Sequence, residues 1–290
     1  GSFGVKQAVF PYIVALALAA RKAGRPVHRT EDRLEHLTAA TSATNRVTRI
    51  EAAFDKDGVV SALRYDQLDD CGAYLRAPEP ATLYRMHGNL TGAYAIANLA
   101  IRNRVVLTNK TPSGLNRGFG GPQMYFALES IMRRIAETLS LHPLVVIRRN
   151  LVPKFPYRTA SGALLDSGDY RAALDQGTRD GALDDLVARR TAMRAQGRLY
   201  GIGYAAVVEP SISNMGYITT LLTPEARAAA GPKNGAAATA TVAIDPSGSV
   251  SVTVASTPQG QGHATVLAQI VGDALGLAVA DIVVNVELDT

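Results

Sequence analysis

The chain has almost no cysteine and no tryptophan: among 290 residues there is one Cys, Cys71. A single thiol cannot close an internal disulfide or build a CxxC zinc or iron–sulfur site, so both are excluded within the chain. Long apolar runs are also missing. The most apolar stretch, Ala8 to Ala20, is 13 residues, against about 20 for a bilayer span. It follows a glycine turn instead of a basic segment, which argues against a signal peptide, so a soluble, cytoplasmic protein is expected. Excess charge of one sign is small. The 30 Lys and Arg are scattered among 25 acids, for a net +5, and no aromatic run interleaves with them, which disfavours a nucleic-acid face. The five histidines have no HxxxH or HxH spacing, so no protein-held metal is expected. No GxSxG elbow, P-loop or GxGxxG opens a helix after a strand.

What the chain does have is 47% apolar residues and 26 glycines, enough for an ordered core with many turns. Hydrophobic periodicity predicts helices over 11–23, 122–139, 143–150, 170–178, 183–196 and 263–275. Hairpins are predicted over 46–70, closed by Lys56-Asp57-Gly58, and over 238–255, closed by Asp245-Pro246-Ser247-Gly248. Strands are predicted at 105–108, 199–208 and 281–288, an irregular stretch up to residue 100, and a flexible insertion at 226–235. No internal repeat is visible. The mixture implies an α+β fold: two lobes of helices packed on mixed or antiparallel sheets, divided at Pro153 into 1–153 and 154–290. The abrupt start and the strand over 283–288 predict a fragment of a longer polypeptide, whether natural or not. Gly1-Ser2 reads equally as natural sequence or as a cloning remnant.

Three glycine-rich turns each precede a predicted helix: Gly1-Ser2-Phe3-Gly4-Val5-Lys6-Gln7, Arg117-Gly118-Phe119-Gly120-Gly121-Pro122-Gln123 and Gln259-Gly260-Gln261-Gly262-His263. Backbone N–H groups freed by glycine beside a helix N-terminus attract anions and polar ligand edges. Glutamine in or after each turn adds an amide that both donates and accepts. One such turn reads most simply as structural. Three of them suggest loops closing around one large anionic cofactor.

The segment Thr108-Asn109-Lys110-Thr111-Pro112, then Asn116-Arg117-Gly118-Phe119-Gly120-Gly121-Pro122-Gln123, continuing to Phe126, Leu128 and Glu129, resembles the molybdenum hydroxylases. This is the xanthine dehydrogenase, aldehyde oxidase and carbon monoxide dehydrogenase family, and the likeness is to its molybdopterin-binding large subunit. Further matches follow in the family's order: Gly1 to Lys6, Glu31-Asp32-Arg33, Asp70-Cys71-Gly72-Ala73-Tyr74, Tyr94 with Asn98, Pro143 with Arg148 and Asn150, and Gly260-Gln261-Gly262. The resemblance implies a molybdenum–molybdopterin cofactor, possible in its cytosine dinucleotide form, with the metal carried by the pterin and not by the protein. It implies that Phe3, Gly4, Arg117, Gly118 and Phe119 lie beside the molybdenum, and that Gly260, Gln261 and Gly262 hold the pterin. The reaction implied is hydroxylation of an aldehyde or an aromatic N-heterocycle with oxygen from water, electrons leaving through 2Fe-2S clusters and FAD on partner subunits in a dimer of heterotrimers.

Departures from the family pattern narrow this. The family's glutamate base belongs to a GxGE motif that would lie beyond Thr290, so no catalytic residue is assigned here, and the 290 residues alone are expected to be inactive. Gln7 stands where xanthine-oxidising members have a second glutamate, and Asn116 replaces their aromatic, which disfavours purines and makes Gln7 and Asn116 candidate substrate-pocket residues; Tyr84 is a third candidate because it falls where the family places residues near the substrate. Arg85 and His87 fall in the same region. Gly118 occupies the place of the copper-binding cysteine, which argues against copper-dependent CO oxidation. Cys71 reads as a small buried side chain, Glu31-Asp32-Arg33-Glu35 as an ion-paired turn, and Arg148, Arg149 and Asn150 as helix capping. Two alternatives stay open: a cofactor-free paralogue or assembly protein keeping the fold, and an anion- or nucleic-acid-binding module.

Overall fold

The computed structural model describes residues 3–5, 11–76, 79, 83, 85–209, 225–226, 229, 239–256, 258 and 260–286. The first helix, α1 (Pro11–Ala23), is apolar yet buries no residue completely. A short helix α2 (Arg33–Ala39) follows, then strands β1 (Asn45–Phe54) and β2 (Val60–Asp70), which pair antiparallel. A 3₁₀ turn (Arg85–Asn89) leads towards β3 (Asn98–Val106), which adds to β2 in parallel. Helices α3 (Gly121–Thr138) and α4 (Pro143–Asn150) complete this part.

The first core forms because α3 has a clean apolar stripe. Met124, Leu128, Met132 and Ile135 are buried on one face of it, at helical spacing. They join Leu63 and Tyr65 of β2, Met86 and Leu90 around the 3₁₀ turn, and Val146 and Ile147 of α4 in one cluster. The hairpin turn is tied to this core by Asn150. Its Oδ1 accepts from Val60 N–H at 2.8 Å, and its Nδ2 donates to Gly58 O and Val146 O, each at 2.8 Å.

A two-residue ladder, β4 (Tyr157–Arg158) with β5 (Leu164–Leu165), leads to α5 (Tyr170–Asp180) and α6 (Leu183–Ala195). Tyr170, Leu174, Tyr204, Ala206 and Val208 all pack on the first core. A second core is built from β6 (Ala240–Ile244), β7 (Val250–Val254), α7 (His263–Leu275) and β8 (Ile282–Val286). Its sheet order is β6-β7-β8, with β6 antiparallel and β8 parallel to β7. The first sheet has the same pattern, β1 antiparallel and β3 parallel to β2. This topological echo leaves no trace in the sequence.

The α+β class, both hairpins and the predicted helices stand, with ends shifted by a residue or two. Three expectations change. The strand predicted at 105–108 is β3, which starts at Asn98, because it pairs with β2 along its whole length and needs no apolar alternation of its own. The turn predicted at 31–35 is the start of α2. Asp32 caps it, accepting from Glu35 N–H at 2.8 Å while Glu35 accepts from Asp32 N–H at 3.1 Å, a reciprocal capping box. Residues 199–208 are extended but belong to no sheet among the described residues. The segment predicted at 226–235 falls almost wholly outside the described residues, as do 287–290 of the last strand.

The buried ion pair between β1 and β2 gives the first test. Arg46 Nε and Nη2 donate to Asp69 at 2.8 and 2.9 Å, with side-chain exposures of 1% and 0%. Removing one partner strands a buried charge, at a cost of about 3–5 kcal/mol, whereas replacing both by apolar groups costs far less. Urea unfolding should therefore show Asp69→Leu to be much less stable than the double variant Arg46→Met with Asp69→Leu.

Candidate functional site

Two of the three glycine turns come together. Residues 3–5 form a turn in which Phe3 and Gly4 take φ of 54° and 96°. Gly4 is buried against the strand leading into the second turn, and a Cβ there would lie 2.5 Å from Leu115 Cδ2. Thr41 Oγ1 donates to Val5 O at 3.2 Å, and Ser42 forms a parallel bridge with Ser113. The segment 41–44 is thus threaded between the two turns, 114 residues apart in sequence at Phe3 and Arg117.

The second turn has three successive left-handed residues, Gly118, Phe119 and Gly120, with φ of 89°, 37° and 83°. Asn116 shapes its entry: Oδ1 accepts from Arg117 N–H at 2.9 Å, and its carbonyl accepts from Phe119 N–H at 2.8 Å. Gly120 is the N-cap of α3, with Pro122 at the start of the helix. A Cβ on Gly118 would lie 2.6 Å from the Pro122 ring. Glycine accepts such angles freely, but phenylalanine does not. Phe3 and Phe119 are two of four non-glycine residues at positive φ among the described residues. Phe3 is also 65% exposed, so its strain is not offset by burial, and strain of this kind gathers at ligand sites.

A cleft of about 890 Å³ opens beside the first turn. Phe3, Tyr12, Arg29, Glu31, His36 and Asn116 are among its lining residues. Arg29 lies 4.7 Å over the Tyr12 ring, and His36 Nδ1 is 3.1 Å from Glu31 Oε2. Glu31 Oε1 is buried without a hydrogen-bond partner, and so is Gln123 Oε1, whose Nε2 donates to Thr44 O at 3.0 Å.

Of the candidate residues, Phe3 and Asn116 share the cleft, Gly4 buttresses it, and Arg117, Gly118 and Phe119 continue from Asn116 around the second turn. Arg117 is exposed. Gly260, Gln261 and Gly262 are exposed and lead into α7, with Gly262, at φ 77°, as its N-cap. None of these three lines the cleft. Gln7 and Tyr84 lie outside the described residues.

Sequence reasoning missed the contacts behind the second turn. Glu129, about two turns along α3, accepts from Tyr94 OH at 2.9 Å and from Ala206 N–H at 3.0 Å. Val208 O accepts from Tyr125 OH at 2.6 Å and from Asn89 Nδ2 at 2.7 Å. The extended segment 201–209 is therefore bonded to side chains of α3 and the 3₁₀ turn. The available signal was alternation, since Ile202, Tyr204, Ala206 and Val208 are its less exposed positions. Burial pushes the Glu129 carboxyl up to about 7, opposed by the Ala206 and Tyr94 hydrogen bonds.

The family model of the molybdopterin cofactor-binding domain matches residues 1–151, and a second model of that description matches residues 178–290. The chain belongs to the molybdopterin-binding large subunits of the molybdenum hydroxylases. It is 31% identical to the large subunit of nicotine 6-hydroxylase from Paenarthrobacter nicotinovorans, over 100% of this chain and 35% of that protein. It is 28% identical to the carbon monoxide dehydrogenase large chain of Hydrogenophaga pseudoflava, over 96% of this chain and 34% of that one. The crystal structure of quinoline 2-oxidoreductase from Pseudomonas putida 86 superposes with a TM-score of 0.79 at 31% identity, covering 98% of this chain and 36% of that chain. The chain thus spans about a third of the length of these molybdenum hydroxylase relatives. No described helix is long and apolar enough to cross a membrane.

The raised carboxyl of Glu129 sets a pH dependence. Its protonated form is favoured in the folded state, so its contribution to stability is complete below about 4.5 and is lost as pH rises through about 7. Glu129→Gln fixes a neutral side chain. Thermal melts should find the variant gaining on the parent protein between pH 5 and pH 8.5, by up to about 3 kcal/mol.

Proposed function

We propose that this chain is the cofactor-cradling part of a hydroxylase that inserts water-derived oxygen into an aromatic N-heterocycle, with aldehydes as the competing substrate class. The observation that carries the reading is the junction of the two phenylalanine–glycine turns, held by Gly4 against Leu115. The nicotine and quinoline enzymes among its relatives favour the heterocycle, and Gln7 and Asn116 in place of charged and aromatic groups suit a ligand without a purine's acidity.

The residues present fit a molybdopterin. Backbone free of Cβ at Gly120, Gly260 and Gly262 admits a phosphate or a pterin edge. The buried Gln123 Oε1 is an acceptor that lacks a donor, which an amino-bearing heterocycle supplies. When bound, the group supplies a molybdenum centre that takes two electrons as oxygen is added to carbon. Phe3 and Phe119 wall the reacting side and exclude bulk water from it. The Gly118 and Phe119 backbone and Arg117 orient the cofactor, and the Gln261 amide donates to and accepts from the pterin. Asn116 and Gln7, with Tyr84, line the approach of the ring substrate.

The same reading divides the chain into cofactor-binding lobes at 153/154, and it places the catalytic glutamate outside these residues. It admits a cytosine dinucleotide form of the pterin among others, and it assigns electron exit to 2Fe-2S and FAD subunits in a dimer of heterotrimers within the cytoplasm. Glycine in place of a cysteine at position 118 leaves copper out.

Molybdenum and released pterin should each be found at about one per chain in the enzyme purified with its partners, and quinoline should be turned over faster than benzaldehyde. Absence of both from a preparation in which an active relative is loaded would overturn the enzymatic reading. Gly118→Val, forced against Pro122 at a left-handed position, should lower molybdenum content at least about tenfold. Gly177→Ala, which faces open space in α5, should leave the content unchanged.

A further inference from the structure

The 3₁₀ turn Arg85–Asn89 is held on its C-terminal side by hydrogen bonds that do not change between pH 5 and 8. Thr159 Oγ1 donates to Gly88 O at 2.9 Å, Asn89 Nδ2 to Val208 O at 2.7 Å, and Tyr65 OH to Leu90 O at 2.9 Å. The bond at His87 is of another kind. His87 Nε2 lies 2.7 Å from Asn103 Nδ2 of β3. Asn103 Oδ1 accepts from Gln67 Nε2 at 3.1 Å, and Gln67 is 1% exposed on β2, in register with Asn103.

The direction of this chain decides the state of the ring. With its oxygen taken by Gln67, the Asn103 amide presents NH₂ to the imidazole, and an NH₂ group only donates. Nε2 must then offer a lone pair, so the ring is neutral with its proton on Nδ1. Its surroundings agree. Burial, and then the charge of Arg46, hold the imidazole below its ordinary value. Asp69, the buried carboxylate on β2, is itself engaged by Arg46 Nε and Nη2.

We infer that His87 is a positioning residue: its neutral ring, held by the Gln67–Asn103 amide chain, ties the 3₁₀ turn to β3, and protonation of the ring breaks that tie. The inference rests on the proposed function only in assigning the neighbouring Tyr84 to the substrate side. A protonated Nε2 and the Asn103 NH₂ would set two donors against each other, while the other three bonds and the buried Met86 keep the rest of the turn in place. The turn would loosen locally, without unfolding.

The test uses the holoenzyme that contains this chain. Amide exchange of the peptide 85–90, corrected for intrinsic rates, is followed from pH 7.5 to 5. Protection should fall about fivefold or more on acidification, with a midpoint below about 6.5. In His87→Leu the pH step should vanish. In Asn103→Asp a carboxylate faces the ring and favours its cation, so the step should move upward by about one pH unit or more. A purely space-filling histidine would produce neither effect. Protection flat with pH in the parent enzyme, or a step that survives in His87→Leu, overturns the inference. With quinoline as probe, KM should rise over the same pH range in the parent enzyme but not in His87→Leu. An exchange step without that KM change leaves His87 as the holding group and overturns the assignment of Tyr84 to the substrate side.

Discussion

Arg46 and Asp69 are joined where two strands leave the first sheet for the cleft, and the site's geometry depends on that junction. Just before Arg46, Thr41 and Ser42 bond to Val5, Pro112 and Gly114. Just after Asp69, Cys71 and Gly72 bond to Val106, Thr108 and Ser113. The pair therefore fixes the relative height of the segments that hold the two phenylalanine–glycine turns together. Gly72 tightens the arrangement, since a Cβ there would lie 2.5 Å from Thr111 O. This contact, at φ 76°, explains glycine in the Asp70-Cys71-Gly72 stretch by sterics alone. A buried ion pair gives little net stability; here its two hydrogen bonds join β1 and β2 at the directly paired residues Arg46 and Asp69.

The turns show how backbone is spent at a ligand site. Glycine at 4, 118 and 120 relieves three positions, but Phe3 and Phe119 are left in conformations a large side chain resists. The surrounding bonds must impose them: Asn116 on the second turn, Thr41 and Leu115 on the first. An apolar ring on a strained, rigid backbone keeps its place when a polar ligand leaves, so the wall of the cleft exists before the ligand arrives.

Much of this was legible in the sequence, for physical reasons that differ from place to place. Helix α3 was legible because its stripe recurs every three or four residues and a Gly-Gly-Pro start precedes it. The hairpins were legible from Asp-Gly and Pro-Ser-Gly turns. The glycine turns could be singled out because glycine clustered before helices has few other uses, and family likeness gave them a ligand. Strand β3 was shortened because a parallel strand receives its pattern from its neighbour. Residues 199–208 alternate like a strand, yet their hydrogen bonds end on Glu129, Tyr125 and Asn89, three side chains far away in sequence. The inward run Tyr65, Gln67, Asp69 on β2 could have been noticed as alternation turning from apolar to polar. Its partners, Arg46, Asn103 and His87, come from separate elements that only the folded chain brings together.

The parallel pairing of β2 with β3 bears on the order of assembly. The β1–β2 hairpin closes over a five-residue turn between Phe54 and Val60, whereas β3 returns only after 27 intervening residues, 71 to 97. Loop-closure entropy makes the hairpin the earlier event and the third strand the later one. The irregular crossing, which includes the 3₁₀ turn, can settle only once β3 has docked and presented Asn103. The region expected to meet the substrate is thus the last part of the first sheet to take shape. Until it does, the open edge of β2 is an unpaired strand that a chaperone or a second nascent chain can reach.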